Sequence, residues 1–289
     1  MSITTTSESQ GAGLARDRDF LESLADRDRW FYTHYVWAVD VIVEQLTRVA
    51  PLEGAKVFDF GCGEGLMARG LAPLCREVRG VDIVPKFEGL DARIDAIFGP
   101  DHGIPPVDLR LVDPFEPLPY EDATFDAAFA WSVFEHVADP GRSLREIHRV
   151  LRPGGAFFLI INPLYYSAMG GHLWNVLEEP WIHLRLSREE LFDRVRKAIL
   201  KAEVEEGRTD IWQGKTVEAY RETLLRCLDS LNMLTVRLLK EHLRYAGFTV
   251  VAEETRQTLP HQPPADLLEL HPREDLMTDE VRLLLRRSG

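Results

Sequence analysis

Cysteine is scarce in this chain of 289 residues: Cys62, Cys75 and Cys227 are the only three. The number is odd and no two are spaced CxxC, which argues against a disulfide framework and against a zinc finger. Long apolar runs are missing too, and none approaches the roughly 18 residues of a membrane span. Residues 1–10 lack the basic start and apolar stretch of a secretory signal. Together these absences predict a cytoplasmic protein with reduced thiols. Basic charge is also short, with 34 Lys+Arg against 47 Asp+Glu and a net of −13. Such a surface repels phosphate backbones and anionic lipid, so no nucleic acid and no membrane is expected as a partner. An apolar share of 45% leaves ample material for a core, enough for one large domain or one and a half.

What is present is ordered along the chain. Residues 1–12 are polar and Ser/Thr/Gly-rich, the composition of a disordered tail. Residues 13–50 predict helices: a charged surface helix around Phe20, Leu21 and Leu24, then a longer one. In the longer helix Tyr35, Val39, Ile42, Leu46 and Val49 step by one helical face until Pro51 and Gly54 stop it. Residues 51–163 change pattern. Short apolar segments at 56–60, 77–83, 109–113, 125–131 and 156–161 alternate with helical or irregular stretches, the signature of a parallel α/β sheet. Residues 164–246 break the alternation with three expected helices, the first behind the capping box Ser187–Glu190. Residues 247–289 return to strands at 248–255 and 280–286.

The strongest chemical signal is Val57-Phe-Asp-Phe-Gly-Cys-Gly-Glu-Gly65. A strand running into Gly-x-Gly lets the backbone approach a ligand closely. A dinucleotide enzyme uses Gly-x-G-x-x-Gly to seat a pyrophosphate, but position 66 here is Leu. Asp59 would oppose a pyrophosphate and suit an α-amino group. Asp82, 19 residues past Gly63, ends the second strand, where an acid accepts from ribose hydroxyls. Asp113 follows the third strand, and Leu118–Asp126 leads to Trp131, Ser132 and Glu135-His-Val137.

These motifs, with Arg149-Val-Leu-Arg-Pro-Gly-Gly155, resemble the class I S-adenosylmethionine-dependent methyltransferases, in particular their small-molecule branch of type 11. The resemblance is strong over about 56–163 and returns weakly at Tyr245-Ala-Gly-Phe248. It implies a Rossmann-like α/β fold with a seven-stranded sheet in the order 3-2-1-4-5-7-6, strand seven antiparallel. It implies S-adenosyl-L-methionine as cofactor. Asp59, Gly61, Cys62, Gly63 and Gly65 would hold the methionine end, and Asp82 the ribose. Ile83 would pack on the adenine, with Asp113 and Pro114 at its amine. Trp131 and Ser132 would line the transfer pocket.

Around that core the sequence nominates a lid and a cap. Arg29-Trp-Phe-Tyr-Thr-His-Tyr35 is aromatic for a helix start, and Trp30 and Tyr32 are the expected lid contacts. Residues 165–184 concentrate Tyr165, Tyr166, Trp181, two histidines and the hinge-like pair Gly170–Gly171 just past the fifth strand. Ligands bind outside the carboxyl ends of such strands, so Tyr165, Tyr166 and Trp181 are candidate substrate contacts. His136, His172 and His183 are the candidate bases for a hydroxyl acceptor. Arg194, Lys197 and Lys201 share a helix face that reads first as solvated. No metal-ligand spacing is recognisable.

The resulting expectation is a methyltransferase acting on a small-molecule acceptor, preferably at a hydroxyl oxygen of a sugar or secondary metabolite. N- or C-methylation is the near alternative. A cofactor-retaining partner or sensor without catalysis is the rival from another class, and a dehydrogenase is disfavoured by Leu66 and Asp113. Residues 51–163 carry 11 basic and 18 acidic groups, whereas 164–246 carry 13 of each. The acid excess thus lies in the cofactor half, and the neutral cap does not repel an anionic substrate. Oligomeric state is not set by any of these features.

Overall fold

The computed structural model describes residues 17–173, 176–198, 210–211 and 215–289. The expected tail at 1–12 and Lys201 lie outside the described residues. Seven strands form one sheet: β1 (Lys56–Phe60), β2 (Glu77–Asp82), β3 (Asp108–Leu111), β4 (Phe125–Trp131), β5 (Leu151–Ile161), β6 (Phe248–Arg256) and β7 (Glu280–Arg287). Their order is β3-β2-β1-β4-β5-β7-β6, as the resemblance implies. β1 to β5 pair in parallel, and β7 runs antiparallel to both β5 and β6. The carboxyl ends of β1, β2, β4 and β5 therefore share one edge, where such folds bind ligands.

Both faces of the sheet are covered. On one, the helical segment α1 (29–47) lays Ala38, Val39, Ile42 and Leu46 on Val57, Phe129 and Phe158, together with α2 (Leu66–Leu71). On the other, α3 (Pro140–Val150) and α4 (Val236–Ala246) bury Leu144, Ile147, Leu239 and Leu243 against Phe58, Phe157 and Leu285. Buried strands need apolar residues on both faces, which is why β4 and β5 are apolar almost throughout. β5 also starts earlier than expected, taking in Arg152-Pro-Gly-Gly155.

Two expected boundaries move. Within the segment 13–50 expected as a lid, Ala38, Ile42 and Leu46 are fully buried under the sheet, so that face of residues 38–47 is core. The cap expected at 164–246 ends earlier, because α4 is a sheet-covering helix. Its apolar stripe meets α3 and β5 rather than the cap. The cap's own core consists of Leu173, Ile182, α5 (Arg188–Lys197) and α6 (Val217–Ser230), joined through Leu191, Phe192, Val195, Tyr220 and Leu224. Two short helices that sequence periodicity missed, Ala265–Leu270 and Arg273–Met277, bed the cap through Leu267 and Leu276. No helix among the described residues is long and apolar enough to cross a membrane.

Candidate active site

The loop after β1 is built by close approach. Gly61 and Cys62 both donate their backbone N–H to the Val81 carbonyl at 2.9 Å, which ties the loop to β2. A side chain at Gly61 would collide with Val133, and one at Gly65 with Leu109 and Leu90. Gly63, at φ +55, faces open space instead. So the first and third glycines serve packing, and the middle one opens the loop's face to a ligand. Cys62 departs from its expected role at the level of the side chain. Its Sγ is turned onto Gly80 and is only 2% exposed, leaving its backbone alone on the loop.

Asp59 sits under this loop on β1, fully buried, with neither carboxylate oxygen hydrogen-bonded among the described residues. Burial, with Asp82 close by, pushes its carboxyl well above the usual range. A buried carboxylate of this kind requires a cationic donor to ionise. Asp82 is fixed by two backbone donors, Gly63 N–H to Oδ2 at 2.8 Å and Val84 N–H to Oδ1 at 2.9 Å. Each oxygen keeps a further lone pair for a hydroxyl. Beside it Ile83 is 57% exposed, an apolar surface suited to a flat ring. Asp113 lies two residues past the end of β3 and is exposed, as is Pro114. Its Oδ1 accepts from Phe115 N–H at 2.8 Å, so it closes an Asx turn there. These residues fit S-adenosylmethionine: an orphaned acid for the ammonium, an open glycine, a tied acid for the ribose and an apolar platform.

At the end of β4, Ser132 takes a left-handed backbone (φ +49) and donates N–H to the Ile160 carbonyl. Its hydroxyl reaches the Asn162 carbonyl at 3.4 Å. Trp131, half-buried, meets Trp37 of α1 edge to face. Trp37 was not singled out by the sequence. The segment Tyr32–Trp37 is π-helical, which rotates the residues after it away from a regular helical register. Trp30 reaches the glycine loop by another route, Nε1–H to Glu64 Oε2 at 3.3 Å. Glu64 also accepts from Arg93, which in turn donates to Asp28. Tyr32 does not face the loop, because its hydroxyl donates to Glu22 on the preceding helix.

In the cap the nominated residues separate. Trp181 is 3% exposed, takes φ +58 and packs with Ala168, Leu267 and Leu276, so it is a core residue rather than a substrate contact. His183 is likewise buried, with Nε2 at 2.6 Å from the Tyr165 carbonyl and a basicity lowered to about 4 by burial. Its ring is committed to that backbone bond. The pair Gly170–Gly171 is no hinge: side chains there would strike the Tyr165 carbonyl and the His183 ring. Tyr165 and Tyr166 remain half-buried, in edge contact with each other. Arg194 and Lys197 pair with Glu179 and Asp193 on the surface, the solvated reading.

His136 and His172 come together, ring centroids 5.2 Å apart, with Cys227 of α6 beside both. Burial depresses their basicity to about 4 and about 3, so both imidazoles stay neutral near pH 7. The Pro163 carbonyl accepts a hydrogen bond from His172.

Comparison with known proteins bears on the domain as a whole. Residues 58–159 match the family described as a methyltransferase domain. A ubiquinone biosynthesis O-methyltransferase of Xylella fastidiosa is 32% identical over 119 residues, 41% of this chain and 46% of that protein. The chain thus spans under half the length of such relatives. In fold it is similar to a sarcosine dimethylglycine methyltransferase, itself putative, of Galdieria sulphuraria (14% identity, TM-score 0.52, 88% and 86% of the two chains). It is also similar to a geranyl diphosphate methyltransferase bound to GPP and sinefungin (15%, TM-score 0.52, 89% and 79%). The domain match and the strand order converge: residues 58–159 match a methyltransferase domain, set in the seven-stranded sheet that the resemblance to the class I, S-adenosylmethionine-dependent methyltransferases implies.

Proposed function

We propose that this protein transfers a methyl group from S-adenosylmethionine to a hydroxyl oxygen of a small-molecule acceptor. The observation that carries the cofactor half is Asp59, a fully buried carboxylate with no partner among the described residues beneath an open glycine loop. S-adenosylmethionine supplies an activated methyl group on a sulfonium, so the chain's task is alignment. Asp59 takes the ammonium, Asp82 the ribose hydroxyls, and Ile83, Asp113 and Pro114 the adenine side. Trp131 and Ser132 shape the floor on which the acceptor is held, and Trp37 and Trp30 close it from α1.

Oxygen is preferred as acceptor for two reasons. The relatives similar over the core are named O-methyltransferases. Neutral imidazoles at the cap edge, His136 and His172, offer lone pairs to a departing hydroxyl proton. His183 takes no part in this reading. Tyr165 and Tyr166 stand as acceptor contacts from the cap.

The test is turnover of labelled S-adenosylmethionine against a panel of hydroxylated metabolites, with binding of S-adenosylhomocysteine measured alongside. Binding without label transfer to any hydroxyl would sink the oxygen acceptor and favour a sensor. Absence of binding would sink the cofactor half.

A further inference from the structure

Three side chains from distant parts of the chain converge where the cap meets the core. His136 lies in the turn after β4, His172 follows the Gly170–Gly171 pair, and Cys227 sits on α6. Cys227 Sγ is 3.7 Å from His172 Nδ1 and 4.0 Å from His136 Nε2. One ligand atom from each of the three lies within 4.8 Å of the other two. A tetrahedral ion bound at about 2.0–2.1 Å to nitrogen and about 2.3 Å to sulfur sets an N···S edge of about 3.6 Å. The two edges here are already close to that.

The surroundings orient the donors. His136 Nδ1 is 2.8 Å from Ser230 Oγ, and Ser230 Oγ itself donates to the Cys227 carbonyl at 2.7 Å. The serine proton is therefore spent. His136 must donate through Nδ1, and its Nε2 lone pair is left on the side of Cys227. His172 turns Nδ1 toward Cys227. Metal-ligating histidines are held by outer hydrogen bonds such as the one His136 makes to Ser230. Asn232, just past α6, locks the frame: its N–H reaches the Glu135 carbonyl, and its Nδ2 donates to the Phe134 and Val137 carbonyls.

A second observation points the same way. Glu135 is 2% exposed, and neither of its oxygens is hydrogen-bonded among the described residues. It is close enough to Cys227 to act electrostatically on the thiol. A buried carboxyl with no donor among the described residues thus borders the cluster, and Lys86 lies within electrostatic reach of both His136 and Cys227.

We propose that His136, His172 and Cys227 form a binding site for a thiophilic divalent cation of the Zn2+ class, pinning α6 of the cap to the turn after β4. Two imidazoles and a thiolate select such an ion over Mg2+ or Ca2+, which take oxygen ligands. Binding releases the Cys227 thiol proton to solvent. Three protein ligands leave the fourth tetrahedral position to water or to an acceptor heteroatom. A bound ion would use both imidazole lone pairs, so metal binding and proton acceptance by His136 and His172 exclude each other at any one time. The site does not depend on the methyl-transfer reading, and its test needs neither cofactor nor acceptor.

The whole chain, reduced and stripped with a chelator, is titrated with Co2+. The expected result is one ion per chain, a thiolate-to-cobalt charge-transfer band and intense visible bands of tetrahedral cobalt, all displaced by Zn2+. Cys227→Ala, shown folded by circular dichroism, loses the charge-transfer band. Ser230→Ala keeps it, with Zn2+ affinity about tenfold weaker. A titration without the band overturns the proposal. So does a band of wild-type intensity in Cys227→Ala, which would move the thiolate to Cys62 or Cys75. Should Cys227→Ala fail to fold, His172→Ala decides: wild-type spectrum and affinity in that variant overturn the site equally.

Discussion

Trp37 and Trp131 meet edge to face, ring centroids 5.5 Å apart and planes at 85°. One comes from the first long helix, the other from the last residue of β4, so the pair ties that helix to the strand's carboxyl end. Such pairs contribute about 0.5–1.5 kcal/mol beyond their area. Trp37→Ala is expected to cost at least that much stability, since the buried area of the indole is lost as well, read by urea unfolding. It should lower kcat/KM by more than stability explains, because Trp131 loses its support. A variant with wild-type kcat/KM would make the contact structural only.

Asp59 carries a conflict between stability and binding. Its folded-state pKa is raised, so it holds its proton after the unfolded chain has lost one, and stability falls as pH rises out of the ordinary aspartate range. Asp59→Asn removes that cost. The cofactor-free variant should melt higher than wild type at neutral pH, with the gap closing toward acid. It should also bind S-adenosylhomocysteine about 10–100-fold more weakly, the worth of a charge-assisted hydrogen bond. Unchanged affinity would separate Asp59 from the ligand.

His172→Ala is expected to lower turnover by about 100-fold or more, the range of a lost proton acceptor. Affinity for S-adenosylhomocysteine should stay near wild type, since Asp59, Asp82 and the loop are untouched. Equal losses in both would assign His172 to the frame of the cap rather than to the acceptor.

His183 makes a prediction about acid. Its folded-state value is lowered to about 4 by burial, below the ordinary 6.5. As pH falls the unfolded chain takes up the proton first, so the folded state loses stability between about pH 6.5 and pH 4. The full shift is worth about 3 kcal/mol. His136 and His172 push in the same direction. His183→Gln keeps a donor for the Tyr165 carbonyl and should flatten the profile of unfolding free energy by that share. A profile as steep as wild type would show that His183 is not the group responsible.

The sheet was legible because most of its strands are short apolar runs, with β1 running into Gly61 and β2 ending in Asp82, and alternation with helices leaves few topologies. The cofactor edge was legible for a related reason: Asp59, Gly63 and Asp82 all lie within a few residues of strand ends, where position along the chain is position in space. The rest of the site did not have this property. Leu239 and Leu243 form an amphipathic stripe, but periodicity does not say whether a stripe meets a cap or a sheet. Trp37 was displaced from view because it ends a π-helical stretch, which breaks the 3.6-residue count. His136, His172 and Cys227 stand 36 and 55 residues apart and come together only through tertiary contacts. Trp181 was misplaced because an aromatic in a loop reads as exposed until Leu267 and Leu276, far along the chain, are seen to cover it.

Leu164 and Leu234, the residues where the cap leaves the core and returns to it, line one crevice and belong to one apolar cluster. Entry and exit at a single point make the stretch between them a cassette. A different insertion with the same two anchoring leucines would leave the seven strands, the glycine loop and Asp59 where they are. For an engineer this separates the chain into a fixed chassis and an exchangeable head. Reaction partners could then be altered by transplanting the head together with its bed, the short helices at 265–277, in place of point changes near the chemistry.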